Sequence, residues 1–228
     1  METQFSRNEI IISKEKQDIL NSKTVAIFGI GGVGGYVAES LARAGIKNLI
    51  LIDNDTISIS NINRQIIALH STIGKYKVDV MRERLKDINP NINIITFKTF
   101  IKDGNSKEIL QSQKIDYIVD AIDTVSAKLE LIKFANELNT PIISSMGTGN
   151  KLSPEKLEIT DINKTTVCPL AKKIRKELKQ LGIKKLTVVY STEEPTKLIE
   201  TSTIGSISFV PSIAGLLISS KIIREFIK

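Results

Sequence analysis

The sequence is poor in the side chains that build disulfides and structural metal sites. Its only cysteine is Cys168 and its only histidine is His70. A disulfide within the chain is therefore excluded, as are the usual structural zinc sites, which need four cysteine or histidine ligands. The first ten residues are polar and contain no apolar stretch of the signal-peptide type. We expect a cytoplasmic protein without structural zinc.

Aromatic residues and long uninterrupted hydrophobic runs are also scarce. Tryptophan is absent and aromatic residues make up 5% of the chain, so stacking on nucleic-acid bases cannot be assigned to particular residues. The most apolar stretch, residues 204–223, is interrupted by Pro211, Lys221 and several serines, which makes it a poor membrane span. We expect instead a buried or dimer-interface helix that begins near Pro211.

Positive charge is concentrated in one segment of a chain whose net charge is +7. Residues 164–185 contain eight basic residues and one acidic residue, whereas the rest of the chain contains 24 of each sign. The spacing predicts a helix over 169–181, with Pro169 in its first turn and Gly182 just beyond its end. Such an excess indicates an anionic partner; the alternative is an ordinary solvated helix face.

Residues 24–55 predict a strand, a glycine-rich turn, a helix and a second strand. Apolar residues form the strands at 25–28 and 49–52, and helical spacing covers 36–44. Glycines in such a turn allow close approach of the backbone to a phosphate, and the helix N-terminus attracts the anion. Asp53 is placed to bind ribose hydroxyls. This arrangement predicts a nucleotide site rather than merely a tight strand–helix turn. The glycines concerned are Gly29, Gly31, Gly32 and Gly34.

Strands alternate with helices up to residue 145, which is typical of a parallel sheet covered by helices on both faces. Helices are predicted over 9–20, 61–69, 75–88 and 126–138. Beyond residue 150 the alternation loosens into additional strands and helices. We therefore predict one α/β domain over residues 1–228, with a Rossmann-like, doubly wound and mainly parallel sheet. It comprises a nucleotide-binding core, 1–150, and an extension, 151–228, that faces the substrate and packs the dimer.

Several short motifs share an order and spacing with a known family. They are 29–34 (GIGGVG), 53–55 (DND), 60–65 (SNINRQ), Lys77 and 120–123 (DAID). Together they resemble the ubiquitin-activating-enzyme-like, or ThiF-type, adenylyltransferases. Within that superfamily the sequence is most similar to the tRNA threonylcarbamoyladenosine dehydratases. The segments that carry this similarity are 5–7 (FSR), 120–128 (DAIDTVSAK), 143–151 (ISSMGTGNK), 164–170 (KTTVCPL) and 189–193 (VYSTE). Gly35 departs from the family, which more often has serine there.

The resemblance implies an ATP site with Mg²⁺. Asp53 would bind the ribose, Asp123 would help to hold Mg²⁺, and Arg7 would reach the phosphates from the other subunit of a homodimer. The implied catalytic residues are Arg7, Arg64, Lys77 and Asp123. The implied nucleotide-binding residues are Gly29, Gly31, Gly32, Gly34, Asp53, Asp55, Asn61, Arg64, Gln65, Lys77 and Asp123. Given the family, the basic segment becomes the candidate for binding tRNA, through Lys164, Lys172, Lys173, Arg175, Lys176 and Lys179.

The implied reaction has two stages. The threonyl carboxylate of the modified adenosine, beside the anticodon, attacks ATP and gives an acyl-adenylate and pyrophosphate. A nitrogen or oxygen of the same side group then closes a ring and expels AMP, with net loss of water. No protein nucleophile is required for this intramolecular step.

Other readings of the same motifs remain open. One alternative is an activator that adenylates the C-terminal glycine of a small ubiquitin-like sulfur-carrier protein. A catalytically silent module is disfavoured, because Arg64, Lys77 and Asp123 are retained. A nicotinamide dehydrogenase is disfavoured, because nothing in the sequence resembles hydride-transfer machinery. Cys168 either packs as a small buried hydrophobe or acts as a nucleophile or persulfide carrier. A sulfur-transfer protein is therefore a further candidate partner.

Overall fold

The sheet has seven strands in the order β3-β2-β1-β4-β5-β7-β6. The computed structural model describes residues 2–102, 104–111, 113–196, 199 and 203–228. All neighbouring strands are parallel except β6 and β7, which form an antiparallel pair at one edge. The predicted α/β fold with a mainly parallel sheet is confirmed. The strands are β1 (Thr24–Phe28), β2 (Asn48–Ile52), β3 (Asn93–Phe97), β4 (Tyr117–Asp120), β5 (Ile142–Ser145), β6 (Leu157–Asp161) and β7 (Thr187–Ser191).

Helices cover both faces of this sheet. They are α1 (Ser6–Ile12), α2 (Lys14–Ser22), α3 (Gly34–Ala44), α4 (Lys77–Ile88), α5 (Asn105–Leu110), α6 (Val125–Glu137), α7 (Pro169–Gln180) and α8 (Phe209–Phe226). Side chains alternate in direction along each strand, so both faces of β1 are buried. Val25 and Ile27 pack with residues of α3, α4 and α8, whereas Ala26 and Phe28 pack with residues of α6. The division into a core and an extension at residue 150 stays a prediction, although β6 and β7 continue the same sheet.

Two of the predicted helices are wrong. The helix predicted over 9–20 is two helices, because Ser13 between α1 and α2 has a φ of 71°. The helix predicted over 61–69 is a series of turns that begins with a 3₁₀ turn, Ile59–Asn61. There the Asn61 Oδ1 atom accepts a hydrogen bond from the Ser58 N–H, at 3.0 Å. Such local side-chain bonds compete with a regular helix.

The C-terminal helix α8 packs within the chain, as expected for a buried helix. Its contact with α3 depends on Gly215, since a Cβ atom there would lie 2.6 Å from the Val33 carbonyl oxygen. Val210, Ala214 and Ile218 of α8 are fully buried. Across the described ranges, no helix combines the length and the apolar character that crossing a membrane requires.

Candidate active site

A cavity of about 800 Å³ opens at the carboxyl ends of the central parallel strands. This is where open α/β sheets bind ligands. Most of the predicted nucleotide-binding residues line it, although they come from distant parts of the sequence. They are Gly29, Gly31, Gly32, Asp53, Asp55, Asn61, Arg64, Gln65, Lys77 and Asp123. Of the residues predicted for nucleotide binding and catalysis, Gly34 and Arg7 are not part of the lining.

The turn between β1 and α3 needs glycine at two positions for different reasons. Gly29 has a φ of 87°, and a Cβ atom there would lie 2.6 Å from the Ala121 carbonyl oxygen. A Cβ atom on Gly34 would lie 1.8 Å from the Gly29 carbonyl oxygen, so the two ends of the turn are in direct contact. Gly34 therefore shapes the turn, while Gly31 and Gly32 present their backbone to the cavity.

The Asp53 carboxylate joins this turn to the end of β2. Its Oδ2 atom accepts a hydrogen bond from the Ile30 N–H at 2.7 Å, and its Oδ1 atom accepts one from the Asp55 N–H at 2.8 Å. Burial raises the pKa of Asp53, while the nearby Lys77 charge and the two N–H groups oppose that rise. The carboxylate thus faces the cavity in a fixed orientation.

Lys77, the first residue of α4, brings a buried positive charge to the same place. Its Nζ atom lies 2.7 Å from Asp55 Oδ2 and 3.9 Å from Asp53 Oδ2. The Asp55 side chain is 57% exposed, so its half of the pair is accessible to solvent. An ammonium group next to an open carboxylate can exchange that partner for another anion.

Arg64 and Gln65 lie on the turns that follow the Ile59–Asn61 segment. The Arg64 Nη1 atom donates to the Ser60 carbonyl oxygen and to Asn63 Oδ1, both at 2.9 Å. Gln65 is buried, and its Oε1 atom has no hydrogen-bond partner among the described residues. The arginine is therefore held in place at the cavity wall, and the glutamine amide offers an unused acceptor.

Asp123 is exposed on the loop that follows β4. Its Oδ1 atom accepts a hydrogen bond from the Thr124 hydroxyl at 3.2 Å. Among the described residues, no group of three or more His, Cys, Asp or Glu side chains could hold a metal ion. A single carboxylate on this loop fits Mg²⁺ that would otherwise be held by phosphate oxygens and water.

Beneath this loop lies a buried ion pair to which sequence analysis assigned no role. Lys128 Nζ lies 2.8 Å from Asp120 Oδ2, and both side chains are fully buried. The Ser144 hydroxyl donates to the same carboxylate oxygen, which ties β5 to β4. Asp120 Oδ1 also accepts the Ile122 N–H at 3.2 Å, within the loop that carries Asp123. The sequence pattern that could have revealed this pair is the position of Lys128 on the apolar face of α6, one turn before Leu131 and two turns before Ala135.

Arg7 lies outside the cavity, on α1. Its side chain is exposed, and none of the α1 residues is buried within the chain. Ile10 and Ile11 of the same helix are 83% and 85% exposed. The structure therefore leaves untested the prediction that a second subunit brings this arginine to the phosphates.

The basic residues of α7 surround a surface groove of about 1000 Å³. Lys172, Lys173, Lys176 and Lys179 are exposed, as is Lys164 just before the helix. Arg175 differs, because its Nη1 atom donates to the carbonyl oxygens of Ile162 and Thr165 and to the Thr165 hydroxyl. Arg175 therefore fastens the preceding loop to α7, whereas the lysines are available to an anionic partner.

Cys168 packs as a small buried residue at the start of α7, as one of the two sequence interpretations expected. It is 4% exposed, and its Sγ atom accepts a hydrogen bond from the Ala171 N–H at 3.5 Å. It also lines the cavity.

Comparison with known proteins identifies the family of this chain. The ThiF family model matches residues 5–228. The chain belongs to the ThiF family. It is 40% identical over 242 residues to a Bacillus subtilis tRNA threonylcarbamoyladenosine dehydratase, covering 99% of this chain and 95% of the relative. The predicted resemblance to that group of dehydratases is confirmed.

Solved structures of Escherichia coli tRNA N6-threonylcarbamoyladenosine dehydratase are also similar. Its complex with AMP has a TM-score of 0.93 and 30% identity, and its complex with ATP has a TM-score of 0.92 and 31% identity. Each comparison covers 98% of this chain and 93% of the solved chain. The similarity to nucleotide complexes supports ATP binding in this branch of the ThiF family.

The ion pair beneath the loop predicts a large effect on stability. Lys128→Met leaves the Asp120 carboxylate buried without its counter-charge, which should lower the free energy of unfolding by about 3–5 kcal/mol. Adding Asp120→Asn should recover part of this loss, because the uncompensated charge is removed. The exposed Lys133→Met on the same helix is the control. Urea unfolding followed by circular dichroism measures the effect. An unchanged midpoint for Lys128→Met would show that the pair does not stabilise the loop.

Proposed function

We propose that this chain is an ATP-dependent enzyme that dehydrates threonylcarbamoyladenosine next to the anticodon of tRNA, through a carboxyl-adenylate. The observation that carries the proposal is the cavity, where Arg64, Lys77 and Asp123 meet in a fold like that of the ATP-bound E. coli dehydratase. The substrate is inferred from the named relatives, because nearly the whole chain is similar to the B. subtilis dehydratase.

In the first stage the protein positions ATP and stabilises charge. The backbone after β1 approaches the phosphates and Asp53 binds the ribose hydroxyls. The carboxylate of the substrate attacks the α-phosphorus, and negative charge grows on the departing pyrophosphate. Arg64 and Lys77 stabilise that charge, with Lys77 turning from Asp55 to a phosphate oxygen. Asn61 and Gln65 complete the phosphate side of the cavity.

Asp123 is the residue that would hold Mg²⁺, together with phosphate oxygens. When bound, the ion would offset phosphate charge in the adenylation step. In the second stage a nitrogen or oxygen of the modified side group attacks the activated carbonyl, and the bond to AMP breaks. The proximity of the two groups replaces a protein nucleophile. Buried Cys168 is accordingly assigned a packing role.

A homodimer completes the proposed site. α1 exposes Arg7 together with Ile10 and Ile11, and apolar side chains so exposed are typical of an interface. Docking of α1 on a second copy would bury them and bring Arg7 to the partner's phosphates, where its fixed charge suits phosphate recognition. A cytoplasmic location and a sulfur-transfer partner stay predictions.

Adenylation is tested by exchange of labelled pyrophosphate into ATP. The wild-type protein should catalyse exchange only with tRNA that carries threonylcarbamoyladenosine. Arg64→Ala and Asp123→Ala should each slow it about a hundredfold or more, because each removes stabilisation of developing charge. Arg224→Ala and Asp87→Ala change exposed residues outside the cavity and serve as matched controls. Exchange driven instead by a small carrier protein ending in Gly-Gly would contradict the proposal.

The basic helix predicts salt-dependent tRNA binding. Replacing Lys172, Lys173 and Lys176 by glutamate should weaken binding. It should also lower the slope of log Kd against log salt by about 0.7–0.9 for each phosphate that the helix no longer neutralises. Fluorescence anisotropy at several salt concentrations measures both quantities. Glutamate at Lys86, Lys107 and Lys133, exposed lysines of other helices, is the matched control. If both triple variants bind alike, α7 is an ordinary solvated face.

A further inference from the structure

Lys151 is a buried lysine in the cavity wall that the proposed adenylation machinery does not use. It follows β5 in the segment that runs through Gly147, and it lines the same cavity as the nucleotide-binding residues. Only 4% of the residue is exposed. Burying an ammonium group costs several kcal/mol unless an opposite charge compensates it.

The other buried lysines described above each have a carboxylate partner, and Lys151 has none in the part of the chain that the structure describes. Lys77 pairs with Asp55 and Lys128 with Asp120. Among the described residues, no carboxylate oxygen lies within 4.0 Å of Lys151 Nζ. Its hydrogen bond goes to the main-chain oxygen of Glu193.

The neighbouring carboxylate is committed elsewhere. The Glu193 side chain accepts the N–H groups of Leu152, at 2.9 and 3.1 Å, and of Ser153, at 2.9 Å. Burial lowers the pKa of Lys151, while Cys168 at the start of α7 and Glu193 after β7 partly oppose that shift. Among the described residues, the Lys151 ammonium group therefore has one hydrogen-bond acceptor for its three N–H donors and no carboxylate in direct contact.

We propose that Lys151 binds the carboxylate of the substrate, the group that is adenylated. An incoming carboxylate would supply the missing counter-charge and accept a charge-assisted hydrogen bond from Nζ. The ion pair would hold the nucleophilic oxygens in the cavity that also binds ATP. The assignment depends on the function proposed above, and it names the group by which the enzyme recognises the modified side chain.

Two RNA ligands that differ only in the carboxylate test its contact with Lys151. One is an anticodon stem-loop RNA that carries threonylcarbamoyladenosine, and the other has a carboxamide in place of its carboxylate. Binding is measured by anisotropy with a non-hydrolysable ATP analogue present. The wild-type protein should prefer the acid about ten- to a hundredfold, the range of one charge-assisted hydrogen bond. Lys151→Met should abolish most of that preference, whereas Lys151→Arg should keep part of it.

Glu193→Ala is the matched control, since it loosens the same junction and leaves the ammonium group in place. This substitution should weaken binding of both RNAs by the same factor. If Lys151→Met folds poorly, as judged by thermal unfolding, Lys151→Gln takes its place. A preference retained without the lysine overturns the inference, provided that the wild-type protein still catalyses tRNA-dependent pyrophosphate exchange. Absence of that exchange would instead overturn the proposed function.

Discussion

The Asp53 carboxylate is the connection on which the candidate site depends. It accepts N–H groups from the turn after β1 and from the loop after β2, and so fixes two strand ends relative to each other. Lys77 lies beside it and offsets part of the cost of its burial. The glycine turn, the Asp53 carboxylate and the neighbouring Lys77 ammonium group are thus parts of one arrangement rather than independent features.

Buried lysines show three ways in which this chain manages charge near the cavity. Lys128 is fully buried under the loop after β4, where it pairs with Asp120 and donates to the Ser144 hydroxyl, and its role is structural. Lys77 is paired with a carboxylate that is half open to solvent, so its partner is exchangeable. Lys151 donates to a main-chain oxygen, and no carboxylate of the described residues is in direct contact with it. The less completely a lysine is paired with a carboxylate of the chain, the more readily it can bind an anion from outside.

The sequence predicts secondary structure well where local chemistry dominates. Apolar strands, the glycine turn and the cap residues around α7 are local patterns, and the structure has them within a few residues of the predicted bounds. The break at Ser13 and the turns after Asn61 were missed, because single side-chain and backbone geometries override helical spacing there. The role of Arg175 was also hidden, since its acceptors lie on a preceding loop that only the fold brings to it. Motif spacing predicted most of the residues that line the cavity around the glycine turn, but pairings across strands, such as Asp120 with Ser144, require the sheet register.

The most direct test of the account is mass spectrometry of nucleosides from tRNA that carries threonylcarbamoyladenosine, after incubation with the purified protein, ATP and Mg²⁺. The modified nucleoside should lose the mass of one water only when ATP is present, while ATP is converted to AMP and pyrophosphate. An unchanged nucleoside, from a protein that still binds ATP, would contradict it.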